Sequence, residues 1–74
     1  MAKTFSGKRV VRILSREFGF YFISQEGSHV KLTKTIRGRR ITTIVPLHKE
    51  LAAGTLRGVL NLAEVDIKDF LSKV

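Results

Sequence analysis

Residues 20–45 read FYFISQEGSHVKLTKTIRGRRITTIV, and the strands predicted in this segment establish the fold class. The segment is rich in aromatic and β-branched side chains that alternate with polar ones, which is typical of β-strands. Glu26-Gly27 is a turn signal, and residues 34–40, which contain Gly38 and several cations, indicate a second hairpin loop. The stretch predicts a meander of three antiparallel strands at residues 20–25, 29–33 and 41–45, with Pro46 ending the third.

Helical periodicity flanks this stretch on both sides. Before it, apolar residues from Val10 to Phe18 fall on one stripe of a helix, and Ser6 is placed to cap its first turn. After it, apolar residues from Leu56 to Ala63 repeat the helical spacing, and Asp66 is placed to cap a short final helix. The predicted fold class is α+β in the order α-β-β-β-α. Two helices cover one face of the three-stranded antiparallel sheet, and a short helix follows at the C-terminal end.

Length and composition limit what kind of protein this is. Seventy-four residues suffice for a single domain over 1–74, and 43% apolar with 27% charged residues is typical of a folded chain. The longest apolar run, residues 20–23, is too short to span a bilayer, and no secretory signal follows the N-terminal lysines. The sequence has no cysteine, which excludes disulfide scaffolds, thiol catalysis and thiolate metal sites. The expected location is a reducing cytoplasm, with no membrane partner.

The charge is strongly positive and unevenly distributed. Fourteen Lys and Arg residues against six Asp and Glu residues give a net charge of +8. Residues 1–49 carry a net charge of +9, whereas residues 50–74 carry −1. This asymmetry predicts one basic face that binds phosphate groups, and a nucleic acid is the favoured partner. A charge that serves solubility alone and an acidic protein partner are the alternatives.

Gly27-Ser28-His29 is the first candidate for chemistry. His29 opens the second predicted strand directly after the turn, and alternation places it on the same face as Lys31 and Thr33. An imidazole exchanges protons near neutral pH and a neighbouring ammonium stabilises phosphate charge, so the pair suits metal-free cleavage of RNA. From spacing alone, an exposed strand histidine beside a lysine is the simpler interpretation.

His48, which follows the third predicted strand, is the second candidate. It is either the other half of an acid–base pair or a group that binds the backbone of the connecting segment, and its local spacing does not direct it towards His29. Neither histidine, taken with Glu26 or Glu50, shows the spacing of a metal site, so no metal or other cofactor is predicted. The sequence also lacks the motifs of P-loop enzymes, serine hydrolases and glycosidases.

Two groups of cations are predicted to contact RNA. The first lies opposite the apolar stripe of the first helix and comprises Lys8, Arg12 and Arg16. The second lies in the predicted loop and comprises Lys34, Arg37, Arg39 and Arg40. A solvated helix face and a solvated loop are the alternative interpretations. Tyr21 and Phe22 are interpreted as core residues, with base stacking as the alternative.

Taken in order, the motifs resemble those of the HicA-type mRNA interferase toxins, over roughly residues 7–71. The strongest match is the Gly27-Ser28-His29 triplet, which follows a first helix and a strand that opens at Gly19-Phe20. After the triplet come Val45-Pro46, His48, Glu50-Leu51, Gly54-Thr55-Leu56, Leu60, Ala63 and Phe70-Leu71. Each motif alone is short, but the ordered set is specific.

The resemblance implies a fold similar to double-stranded-RNA-binding domains and a metal-independent ribonuclease that cleaves mRNA. It implies that His29 is the catalytic residue; Ser28, Lys31 and His48 are candidates for supporting roles. It also implies a HicB-type antitoxin as partner, and a homodimer is left open.

The chain departs from the family pattern at two places. Glu64 follows Ala63 where members often have glycine, and Lys31-Leu32 stands where members often carry an aromatic residue. The runner-up function is a non-catalytic RNA-binding module that uses the same basic face. A third hypothesis is an interaction protein whose basic face meets an acidic partner.

Overall fold

A computed structural model describes residues 4–74 of the chain. The elements in chain order are α1 (Gly7–Glu17), β1 (Tyr21–Glu26), β2 (His29–Ile36), β3 (Arg39–Pro46), α2 (Ala53–Ala63) and α3 (Ile67–Ser72). The strands form one antiparallel sheet in the order β1-β2-β3. The predicted α+β class and the α-β-β-β-α order with a short C-terminal helix are therefore confirmed.

The second hairpin differs from its prediction as a loop over residues 34–40. β2 continues to Ile36 and β3 begins at Arg39, so only Arg37-Gly38 form the turn. Both turn residues have positive φ, 50° for Arg37 and 76° for Gly38, as a two-residue type I′ turn requires. This turn matches the twist of the flanking strands, which therefore stay paired up to Ile36 and Arg39. Most of the cations predicted to lie in a loop lie on strands.

The helices pack on one face of the sheet. On that face, Val30 of β2 pairs with Val45 of β3 and Leu32 pairs with Thr43, and all four residues are buried. The Thr43 hydroxyl donates a 2.7 Å hydrogen bond to the carbonyl of Val59 in α2, which joins helix and sheet. The apolar core formed between the layers comprises Phe5, Val10, Ile13, Leu14, Phe20, Val30, Leu32, Ile41, Val45, Leu51, Leu56, Val59, Leu60, Ala63, Val65 and Phe70.

The opposite face of the sheet, which we call the open face, is lined by side chains in four rows. From β1 through β2 to β3, the rows are Glu26–His29–Pro46, Ser24–Lys31–Ile44, Tyr21–Thr33–Thr42 and, on two strands only, Thr35–Arg40. A bulge between Phe22 and Ser24 shifts the register of β1, so Phe22 pairs with Leu32 on the helix-covered face.

The predicted helix caps are confirmed. The Ser6 hydroxyl accepts a 3.1 Å hydrogen bond from the Arg9 amide, and the Asp66 carboxylate accepts a 2.8 Å bond from the Lys68 amide. α2 ends at Ala63, and Glu64, which caps it, adopts a left-handed conformation with φ of 57°. Among residues 4–74, no helix has the length and apolar character needed to cross a membrane.

Candidate active site

His29 lies at the start of β2, directly after the Gly27-Ser28 turn. Gly27 has a φ of 56°, a left-handed conformation that glycine adopts without steric cost. The turn places the imidazole on the open face, between Glu26 of β1 and Pro46 of β3. The side chain is exposed to solvent, so a substrate lying on the open face can reach it.

Lys31 lies in the next row of the open face and is also exposed. The prediction that His29 and Lys31 share a face is therefore confirmed. Two residues along a strand separate the rows by roughly 6.6 Å, so the imidazole and the ammonium can act on neighbouring groups of one substrate. Thr33, predicted on the same face, lies there but is fully buried because Tyr21 and Thr42 flank it on the adjoining strands.

Two backbone hydrogen bonds bring the segment after β3 to the same end of the sheet. The Leu47 amide donates a 2.6 Å bond to the carbonyl of Ser28, and the Gly7 amide donates a 2.9 Å bond to the carbonyl of His48. His48 itself is exposed, and it lies two residues beyond Pro46, the partner of His29 in the ladder. Both histidines and Ser28 thus lie at the same end of the sheet, which the local spacing of His48 did not indicate.

Gly7 makes this arrangement possible by its lack of a side chain. A Cβ atom at this position would lie 2.7 Å from the Cα of Leu47 and closer still to the carbonyl oxygen of Pro46. Both obstacles are backbone atoms, which cannot swing aside as a flexible side chain does. The N-terminus of α1 therefore lies directly against the segment that holds His48.

The predicted cations of α1 lie in the helix layer. Lys8, Arg12 and Arg16 are exposed, while the other side of the helix buries Val10, Ile13 and Leu14 in the core. This row therefore points away from the sheet, whereas the cations near His29 lie on the open face, on the other side of the sheet. The prediction of one basic face is wrong because the positive charge is divided between two layers.

Lys34 and Arg39 lie on the helix-covered side of the sheet, where each has a partner within the chain. The Lys34 ammonium donates a 3.1 Å hydrogen bond to the carbonyl of Phe18 and lies 4.8 Å from the centroid of the Phe20 ring. The Arg39 guanidinium makes a two-pronged contact with the Glu64 carboxylate, with N–O distances of 2.8 and 2.5 Å. The hydrogen bonds from Arg39 lower the pKa of Glu64, and the same hydrogen bonds raise the pKa of Arg39.

Arg37 and Arg40 are exposed but differ in position. Arg37 lies in the turn that ends β2, at the far end of this strand from His29. Arg40 lies on the open face, in the row of Thr35. Of the seven cations predicted to contact RNA, Arg40 is the one that the described residues place on the same sheet face as His29 and Lys31.

Two exposed apolar side chains also belong to the open face. Tyr21 is 52% exposed and Ile44 is 43% exposed, and they lie in adjacent rows. The interpretation of Tyr21 and Phe22 as core residues is wrong, since Phe22 is 57% exposed as well. β1 is an edge strand, so its aromatic residues have sheet on one side only. Predicting the exposure of these aromatic residues from the sequence would have required the register in which β1 pairs with β2.

The donors of a metal site do not come together in the part of the chain that the structure describes. Within residues 4–74, no group of three or more His, Asp or Glu side chains is placed to hold a metal ion.

Comparison of the chain with models of known protein families identifies the family to which it belongs. A family model described as the HicA toxin of bacterial toxin–antitoxin systems matches residues 7–65, from the start of α1 to just beyond α2. The chain belongs to the HicA toxin family. A search of curated proteins found no significant match. The HicA match spans the open face and its histidine, and it confirms the resemblance seen in the ordered motifs. It makes this chain a toxin of the bacterial toxin–antitoxin type.

Proposed function

We propose that this HicA-family toxin is an endoribonuclease that cleaves mRNA without a metal ion, with His29 as its catalytic residue. The observation that carries the proposal is the exposed imidazole at the start of β2, one row from the exposed Lys31 ammonium on an uncovered sheet face. A proton-transfer group and a cation side by side are what metal-free cleavage of a phosphodiester requires.

The reaction is an internal displacement within the RNA. His29 accepts the proton of a ribose 2′-hydroxyl, whose oxygen attacks the adjacent phosphorus and forms a new O–P bond. The bond from phosphorus to the 5′-oxygen of the next nucleotide breaks, and that oxygen takes up a proton. The products are a 2′,3′-cyclic phosphate and a free 5′-hydroxyl.

Three nearby groups are proposed to support this step. Lys31 stabilises the negative charge that develops on the phosphate oxygens. His48, held at the same end of the sheet by the Leu47–Ser28 and Gly7–His48 hydrogen bonds, is the candidate acid for the leaving oxygen. Ser28 is exposed in the turn directly before His29 and offers a hydroxyl at the entrance of the site.

A HicB-type antitoxin is the proposed partner. Toxins of this family belong to toxin–antitoxin pairs, and the net charge of +9 over residues 1–49 favours fast association with an acidic protein. A partner that covers the open face would exclude RNA by direct competition. Its binding would also raise the melting temperature, because it binds only the folded toxin.

The chemistry of the products tests the proposal. Purified protein in EDTA should degrade mRNA and leave 2′,3′-cyclic phosphate ends. Binding without cleavage would favour the alternative of a non-catalytic RNA-binding module. Cleavage that stops in EDTA and recovers with added divalent metal would contradict metal-independent catalysis.

A further inference from the structure

Tyr21 is the chain's single tyrosine, and its position on the open face is not used by the proposed cleavage step. It pairs with Thr33, which places it on the same side of the sheet as His29, two rows away. The ring is half exposed although it belongs to a strand. Because burial does not account for this aromatic side chain, the ring is available to a ligand.

Side-chain hydrogen bonds join Thr33, the partner of Tyr21 in this row, to β3. The hydroxyl of Thr33 donates a 3.0 Å bond to the carbonyl of Ile41 and lies 3.1 Å from the hydroxyl of Thr42. Thr33 is completely buried beneath its neighbours. The pairing of β1 with β2 sets the backbone position of Tyr21 relative to His29, since both belong to the same short hairpin.

The surroundings of Tyr21 complement a nucleic acid strand. Exposed cations lie on either side of its row, Lys31 in the row towards His29 and Arg40 in the row beyond. Ile44 adds a second exposed apolar side chain beside Lys31. An aromatic ring between cations, on an open sheet, is the arrangement with which proteins bind unpaired bases and their phosphates.

We propose that Tyr21 stacks on an unpaired base of the RNA and so restricts the substrate to single-stranded segments. The proposal rests on the proposed function in one respect, that RNA lies on the open face over His29. A base within a duplex has both of its faces covered by neighbouring bases, so the ring can stack only where the RNA is single-stranded. Tyr21 is then a binding residue that selects substrate structure, and it takes no part in proton transfer.

An RNA ligand fits this ring better than a protein ligand does. The apolar side chains best placed for protein contact are Phe22 and Ile23, which lie at the bulge on the edge strand and are exposed. Phe22 pairs with Leu32 on the helix-covered face, whereas Tyr21 shares its face with His29. The two adjacent aromatic residues therefore form a matched pair, one on the proposed RNA-binding face and one off it.

The intrinsic fluorescence of Tyr21 provides the test, because the sequence has one tyrosine and no tryptophan. The probe is a short RNA without self-complementarity that carries 2′-O-methyl groups, so that the unmodified protein binds it without cleaving it. We expect this RNA to quench the tyrosine emission, and the same RNA annealed to its complement to quench it far less. A parallel titration followed by the anisotropy of a dye on the RNA gives the affinity of every variant.

Three variants separate stacking from other effects. Tyr21→Leu should weaken RNA binding roughly 5- to 150-fold, the range for loss of one stacked base. Tyr21→Phe should retain most of the affinity, because the ring is kept, and Phe22→Leu should match the unmodified protein. The slope of affinity against salt should stay constant throughout the series, since no charge changes. Unchanged melting temperatures exclude unfolding as the cause.

Several outcomes would overturn the proposal: absent quenching, equal quenching by the duplex, or equal losses in Tyr21→Leu and Phe22→Leu. The proposal is likewise overturned if a protein partner changes the Tyr21 emission and no RNA does. The probe cannot be cleaved, so the result is independent of catalysis. Quenching without any cleavage of natural RNA would support stacking and contradict the proposed ribonuclease activity. Cleavage without quenching would support the activity and contradict stacking.

Discussion

The amide of Leu47 donates a 2.6 Å hydrogen bond to the carbonyl oxygen of Ser28, the residue directly before His29. This bond extends the pairing of His29 with Pro46 beyond the end of the ladder and attaches the segment after β3 to the turn that carries the proposed catalytic residue. The Gly7–His48 hydrogen bond then fastens the same segment to α1. The position of His29 therefore depends on how α1 packs against the segment that follows β3.

Gly7→Ala should destabilise the protein. The new methyl group would collide with the backbone of Pro46 and Leu47, and overpacking of this kind costs about 1–3 kcal/mol or more. Gly58→Ala is the matched control, since apart from the adjoining backbone of α2 itself nothing lies within 4 Å of the place that a methyl group would occupy there. At that position, alanine should stabilise by about 0.5–1 kcal/mol through its better helix propensity. Chemical denaturation of both variants measures the difference, and two shifts of the same sign would contradict the packing described at Gly7.

Arg40 and Arg37 should differ in their effect on RNA binding. Arg40→Gln removes a cation from the open face and should lower the log–log salt slope by roughly 0.7, the value for one phosphate contact on a single strand. Arg37→Gln removes a cation from the turn at the far end of β2 and should leave the slope nearly unchanged. Titrations of single-stranded RNA at several salt concentrations provide the comparison. A larger change for Arg37→Gln than for Arg40→Gln would place the RNA elsewhere.

The Arg39–Glu64 pair should contribute stability that depends on pH. Hydrogen bonds from Arg39 lower the pKa of Glu64 from its ordinary value of about 4.5. The pair's contribution is therefore fully present above the unfolded-state pKa and is lost as the pH falls through the lower folded-state value. The melting-temperature difference between the unmodified protein and Glu64→Gln should be small, because the pair is exposed, and should shrink below about pH 4.5.

Arg39→Gln and the double variant complete a cycle for this pair at low salt. The double variant should melt close to either single variant, because each substitution already removes the interaction. A melting-temperature difference that stays constant from neutral to acidic pH would show that Glu64 acts through something other than its charge.

The proposed antitoxin should shield His29. His29 and His48 are the chain's two histidines, so mass spectrometry after treatment with a histidine-modifying reagent reports on each separately. In the free toxin both exposed imidazoles should react, and in the complex His29 should be protected and RNA cleavage should stop. The complex should also melt at a higher temperature than the free toxin. Modification of His29 at the same rate in both states would argue against occlusion of the site.

Periodicity predicted the elements of this fold because alternation and helical spacing are local properties of the chain. The Val30–Leu32 and His29–Lys31 alternation gave both faces of β2 correctly, and Ser6 and Asp66 marked two helix starts. Strand ends were less predictable. The basic residues 34–40 looked like a loop because charge is common in loops, but a two-residue turn with Gly38 leaves the flanking residues free to pair.

The arrangement of the site depended on contacts between distant residues. The Lys34 ammonium, which is predicted to contact RNA, donates a hydrogen bond to the carbonyl of Phe18, and Arg39 pairs with Glu64, 25 positions along the chain. The exposure of Tyr21 followed from the register of β1 and from its edge position, neither of which a single sequence displays. The backbone hydrogen bonds of Leu47 and Gly7, which a single sequence does not display either, bring the segment that carries His48 to the same end of the sheet as His29.

The proposed catalytic role of His29 is tested by comparing the rates at which His29→Ala and His48→Ala cleave RNA. His29 is exposed, so its replacement should leave the melting temperature unchanged while lowering the cleavage rate by about 10²–10⁴-fold, the usual contribution of general acid–base catalysis. His48→Ala, which removes the other histidine, should have the smaller effect. Added imidazole should restore part of the rate of His29→Ala. A folded His29→Ala protein that cleaves RNA as fast as the unmodified toxin would contradict the proposed role of His29.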